Sequence, residues 1–172
     1  MAWKSRTFAL ELPVGAFPGI VERLRGTPAR VAELVAGVSE EMLSAQVDGK
    51  WSAKENIGHL ADLSDLDEQR LREFLAHASI LSAADSENRA TEAAGHNRAP
   101  IDLLLEQLRT RRFQWVRQLE ALTEEEVALE AVHPRLQTKM RLVDWAYFVA
   151  EHDDHHLALA RLAIAKAHAG RS

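Results

Sequence analysis

The chain has 172 residues, 47% of them hydrophobic and 27% charged, with a formal net charge of −5 and no cysteine. That length suits a single domain over 1–172 that buries its own core without help from disulfides or a structural metal. The missing thiols exclude disulfides, thiolate ligands and a cysteine nucleophile, and the acidic balance argues against a nucleic-acid partner, which usually meets a basic face.

Met1 to Pro18 reads as an N-terminal arm, broken by Pro13, Gly15 and Pro18. Its first residues carry Lys4, Arg6 and Glu11 with no long apolar run, and no stretch reaches the roughly 20 apolar residues of a membrane span. No membrane partner is expected, and the expected location is cytoplasmic. A first helix is predicted over 19–36, kinked at Thr27-Pro28 and ended by Gly37. Ser39 caps a short turn of helix, and Asp48-Gly49 marks a turn. The second long helix has a clear start: Ser52 followed by Glu55 three residues later is a capping box. Its apolar spacing continues to about Leu81, with His59 near one edge of the apolar arc and Asp62 just outside it.

The polar stretch 82–99 is the longest connection, of a length that can join parallel neighbours in a bundle. Pro100 opens a third helix at its first position, running to Leu122. Thr123 with three following glutamates signals a short capped helix, and 132–139 reads as a loop holding His133-Pro134. The last helix runs from Leu142 to His168. Four long helices and no convincing strand predict an all-α fold, a four-helix bundle with a long crossover connection.

The chemistry concentrates in the last helix. With His152 set at 0°, His156 falls at about 40°, Trp145 and Ala163 at about 20° and Val149 at about 60°. Both histidines therefore lie in the middle of the face a bundle helix turns to its core, while Glu151, Asp154 and His155 point elsewhere. Two imidazoles one turn apart can converge on one ion, and burying them without partners is costly. The competing explanation is two core histidines satisfied by carbonyls or water. His59, also facing the core, is the candidate third ligand. Three protein ligands with open positions are the pattern of a catalytic rather than a structural site, and an all-nitrogen set suits zinc or nickel, with manganese, iron or copper alternatives. Asp62 and Asp153 are candidates for a base or for hydrogen bonds to a ligand or bound water, weighed against two solvated helix charges. His96 and His133 sit in loops, where a surface position is the default and a pocket lining the alternative. His77, His155 and His168 read as surface residues. Arg109, Arg111 and Arg112 read as a solvated helix face rather than an anion site.

These residues resemble the DinB/YfiT-like superfamily of metal-binding bundles. The resemblance covers about Thr27 to Leu162 and rests on Trp51-Ser52-x-x-Glu55-x-x-x-His59-Leu60-x-Asp62, on His133-Pro134, and on the run from Glu151 to Ala158. It implies a bundle with a long crossover, often dimeric, holding one divalent zinc or nickel ion on His59, His152 and His156. Relatives include bacillithiol transferases, mycothiol-dependent isomerases and metal-dependent hydrolases. The sequence departs at Gly58, where the transferases commonly carry a second histidine, and in the stretch Asp85 to Asn97.

Three functions follow as expectations. The first is a transferase that uses a low-molecular-weight thiol on an electrophilic small molecule, the metal lowering the thiol pKa and Asp62 or a bound water taking its proton. The second is a hydrolase whose metal activates water. The third is a non-catalytic metal-binding stress or interaction protein, which should lack a pocket beside the metal.

Overall fold

The structure, a computed structural model, describes residues 3–170; the first two residues of the expected arm lie outside that range. Four long helical runs build it. The first is α1 (Phe17–Arg25) continued by α2 (Thr27–Val35), the second α4 (Ala53–Asp62) continued by α5 (Ser64–Leu75), the third α7 (Ile101–Glu120) and the fourth α9 (Leu142–Ala169). Short helices α3 (Glu40–Ser44), α6 (Arg89–Ala94) and α8 (Glu124–Val127) lie in the connections. The first run packs on α7 and α9, and so does α4.

Apolar side chains form two clusters at opposite ends of the bundle. One gathers Ile20, Leu24, Phe74, Trp115, Leu119 and Trp145, and the other Val31, Ile57, Leu60, Leu104, Leu108 and Ala160. Their order along the chain gives the helix directions. The first run and α9 pass from the first cluster to the second, whereas α4/α5 and α7 pass from the second to the first. The connection 76–100 therefore joins two parallel neighbours, as its length predicts. Between the two clusters each run contributes buried polar residues: Thr27 from the first, Asp67 and Arg70 from α5, Arg112 from α7, and Asp153 and His156 from α9. The bundle is thus two apolar cores with a polar layer between them, and the layer carries the chemistry.

Four expectations are corrected. The helix predicted over 52–81 breaks at Leu63 and stops at Leu75, where His77 takes a left-handed conformation (φ 55°). Beyond it the chain leaves the helix, and Ile80 bridges Val132. The loop predicted over 132–139 is a hairpin: β1 (Glu130–His133) pairs antiparallel with β2 (Thr138–Arg141), His133 opposite Thr138. The alternating burial on these strands is too brief to stand out in sequence. The first helix breaks at Gly26, one residue before the expected kink, with Pro28 in the first turn of α2 where its missing N–H costs nothing. The arm is partly folded: short 3-10 turns lie at Trp3–Ser5 and Val14–Ala16, and Leu10, Leu12 and Val14 pack on the first core. Among the described residues no helix is long and apolar enough to cross a membrane.

Candidate metal centre

The capping box places the first side of the site. Ser52 Oγ accepts the Glu55 N–H at 3.1 Å, Glu55 accepts the Ser52 N–H at 2.7 Å, and Ser52 Oγ donates to Asn97 at 2.6 Å. This fixes the first turn of α4 and hence the direction of Asn56 and His59, one and two turns further on. The second side is α9, whose inward face presents His152 and His156, as their angular positions predict.

The three imidazoles converge. One ring nitrogen from each of His59, His152 and His156 lies within 4.8 Å of the others, and the Nε2 atoms of His152 and His156 are 3.2 Å apart. Trp51 stacks near His59 and His156, with centroids 5.1 and 6.0 Å away, and Trp3 meets His152 edge-on at 4.8 Å.

Hydrogen bonds select the tautomers. The Asn56 amide donates to Ser52 O at 2.8 Å, so its oxygen faces His156 and accepts from Nδ1–H at 2.9 Å. Thr91 has one hydroxyl proton and gives it to Asp62 at 2.7 Å. It therefore accepts from His59 Nδ1–H at 3.0 Å. Both rings are left with a bare Nε2, the atom a metal needs. Burial holds all three histidines neutral: His59 is pushed down to about 4, with Asp62 opposing, and His152 and His156 well below the usual range, the neighbouring histidines lowering these two further. Three neutral, converging imidazoles, two of them with the Nδ1 proton already committed, fit a divalent cation.

Asp62 does not reach the cluster directly. Its carboxylate accepts from Thr91 and from His96 Nε2 at 2.9 Å, and these bonds hold its pKa below the usual range despite burial. It acts on His59 through Thr91. Asp153 is 1% exposed but points away from the histidines: it accepts from Thr27 Oγ1 at 2.7 Å and Arg112 at 2.9 Å. Burial raises its pKa, with Arg112 opposing. Breaking such a buried pair costs about 3–5 kcal/mol.

Three surface assignments are overturned by burial. Arg112 is 4% exposed rather than part of a solvated face, and His96 and His133 are 7% and 2% exposed. His96 packs its ring on Gly58, where a Cβ would lie 2.4 Å from the ring. Gly58 is small because His96 fills the space beside it. His155 is half-buried against Trp3. Glu55 is the expected cap, and Glu151 and Asp154 face outward onto Arg6, Arg23 and Arg30.

Beside the histidines lies a cavity of about 430 Å³, mostly apolar, walled by Trp3, Leu63, Leu66, Phe148 and Val149 and reaching Asp67, Arg70 and Arg135. This is the size of a small-molecule site. Nothing in the sequence pattern marks Asn56 or Thr91 as partners of the histidines, or Asp67 as part of the cavity wall. They belong to the site through tertiary contacts alone.

The sequence pattern of the DinB superfamily matches residues 23–160. The chain belongs to the DinB superfamily. Among solved structures, a four-helix bundle from Bacillus subtilis, YfiT, is similar to it with a TM-score of 0.79 at 20% identity, over 94% of this chain and 91% of that one. YfiT is described as "a probable metal-dependent hydrolase with an unusual four-helix bundle topology". At that identity the likeness speaks for the fold. No curated protein matches the sequence.

Proposed function

We propose that this DinB-family chain is a metal-dependent enzyme for a small molecule, with one divalent ion, zinc or nickel, held by His59, His152 and His156. The observation that carries this is the convergence of three neutral imidazoles, two with the proton fixed on Nδ1, at the wall of a cavity large enough for a ligand. An ion there would supply Lewis-acid chemistry, lowering the pKa of a bound water or thiol. The protein's own part is separate. Asn56 and the Thr91–Asp62 pair orient the rings, Trp3 and Trp51 shield them, and the apolar walls exclude bulk water. Asp62, bonded twice and acidic, is a positioning residue rather than a base. The cavity supports an enzyme over a metal-binding protein without catalysis.

Two nucleophiles suit the site. Water, giving hydrolysis, is favoured by the description of YfiT. A low-molecular-weight thiol, giving transfer to an electrophile, is favoured by the apolar walls and by a chain without cysteine to compete for the metal. Zinc- and nickel-loaded protein assayed on esters, amides and electrophiles, with and without small thiols, separates them. Turnover only with thiol supports transfer, and turnover without it supports hydrolysis. No metal-dependent turnover under either condition would sink the enzyme reading.

A further inference from the structure

The cavity carries more positive charge than its acids neutralise. Arg70, Arg112 and Arg135 line it, from α5, α7 and the turn of the hairpin. Of the acids, Asp153 is taken up by Arg112 and Thr27, and Asp85 is paired with Arg89. Asp67, facing Arg112, Asp153, Arg70 and Glu68, is pushed up to about 7 by burial and so carries about half a charge at neutral pH. Its carboxylate accepts no hydrogen bond among the described residues. The surplus is roughly one to two positive charges, which suits a monoanion.

The donors are also underused. Arg135 is exposed and makes no ion pair among the described residues; its guanidinium lies over the rings of Trp3 and Phe148, at 5.8 and 5.5 Å. Arg70 gives Nε and Nη2 to one carbonyl, Ser82 O, at 2.9 and 2.8 Å. Among the described residues, Arg112 Nη1 and His133 Nε2 are buried with no acceptor. His133 Nδ1 accepts the Leu136 N–H at 3.3 Å, so its proton sits on Nε2. Three guanidinium groups and an imidazole donor surround one cavity, and two of the four have a buried nitrogen with no acceptor among the described residues, which suits an anionic ligand.

We propose that the cavity takes an organic acid, its apolar body lying against Trp3, Leu66 and Phe148 and its carboxylate received by Arg135 and Arg70. The proposal rests on the metal-enzyme reading only in placing the other end of that molecule beside His59, His152 and His156. A carboxylate suits the fork of a guanidinium, and the rings of Trp3 and Phe148 hold the Arg135 fork beneath it.

The test is calorimetric titration of the full chain, zinc-loaded and after chelation, with 3-phenylpropionate and its uncharged amide. The acid should bind at least about tenfold more tightly than the amide in both preparations. Arg135→Gln, at an exposed turn position, should remove most of that ratio, and Asp67→Asn should raise acid affinity at pH 8 while leaving the amide unchanged. An acid preference that appears only with zinc and ignores Arg135→Gln marks the carboxylate as a metal ligand, and overturns the arginine site while leaving the metal reading intact. Equal binding of acid and amide, or binding of neither, also overturns it. An arginine-dependent preference in a chain that takes up no metal keeps the acid site and removes the enzyme reading.

Discussion

Replacing Gly58 by alanine should be destabilising although it sits in a helix interior, where alanine ordinarily gains about 1 kcal/mol over glycine. The new Cβ would meet three atoms of the His96 ring at 2.4–2.5 Å. The ring must swing out, and in doing so it gives up its 2.9 Å bond to Asp62. Overpacking costs about 1–3 kcal/mol and a hydrogen bond to a charged group about 1.5–3 kcal/mol. Against the propensity gain, the net loss should be about 2–4 kcal/mol. Urea unfolding of wild type, Gly58→Ala, His96→Ala and the double variant gives the coupling between the two positions. With His96 removed the clash is gone, so Gly58→Ala should then be neutral or stabilising. A Gly58→Ala protein as stable as wild type would refute the account of why this position is glycine.

Acid should weaken the metal-free protein in a defined window. His59 and His133 are both held at about 4 by burial, against about 6.5 in the unfolded chain. Between those values the unfolded chain binds more protons, so stability is full above pH 6.5 and falls as pH drops towards 4, by as much as about 3 kcal/mol per histidine. Thermal melts from pH 7.5 to 4 that stay flat would contradict it. Asn56→Leu removes the acceptor that fixes the His156 tautomer, and metal affinity should drop about 10–100-fold while the circular dichroism spectrum is kept; unchanged affinity by competition with a chelating dye would show that Asn56 does not orient the ring.

The fold was legible where the signal is periodic and local. The apolar face of α9, the capping box at Ser52 and Glu55, and the long connection between parallel helices all follow from spacing. His152 and His156 could be placed on the core side by the same arithmetic, because a helix of this length keeps its period. The illegible parts depend on partners distant in sequence. Asp153 faces the core as the wheel allows, but only the position of Arg112 and Thr27 decides that it serves an ion pair and not the histidines. Arg112 looked solvated because a charge in a basic run usually is, and it is buried because Asp153 waits for it across the bundle. His96 lies in a stretch without periodicity, and its role is visible only in the space left by Gly58. The strands of the hairpin are four residues each, too short for alternation to outweigh loop chemistry.

The central claim is that His59, His152 and His156 hold one ion, and metal content tests it most directly. Untagged protein, purified and then reloaded with zinc or nickel, should carry about one ion per chain by elemental analysis, and a His152→Ala/His156→Ala variant that keeps its helical spectrum should carry none. A wild-type chain that remains empty after reloading would contradict the claim and leave a helical bundle with three neutral histidines in its polar layer.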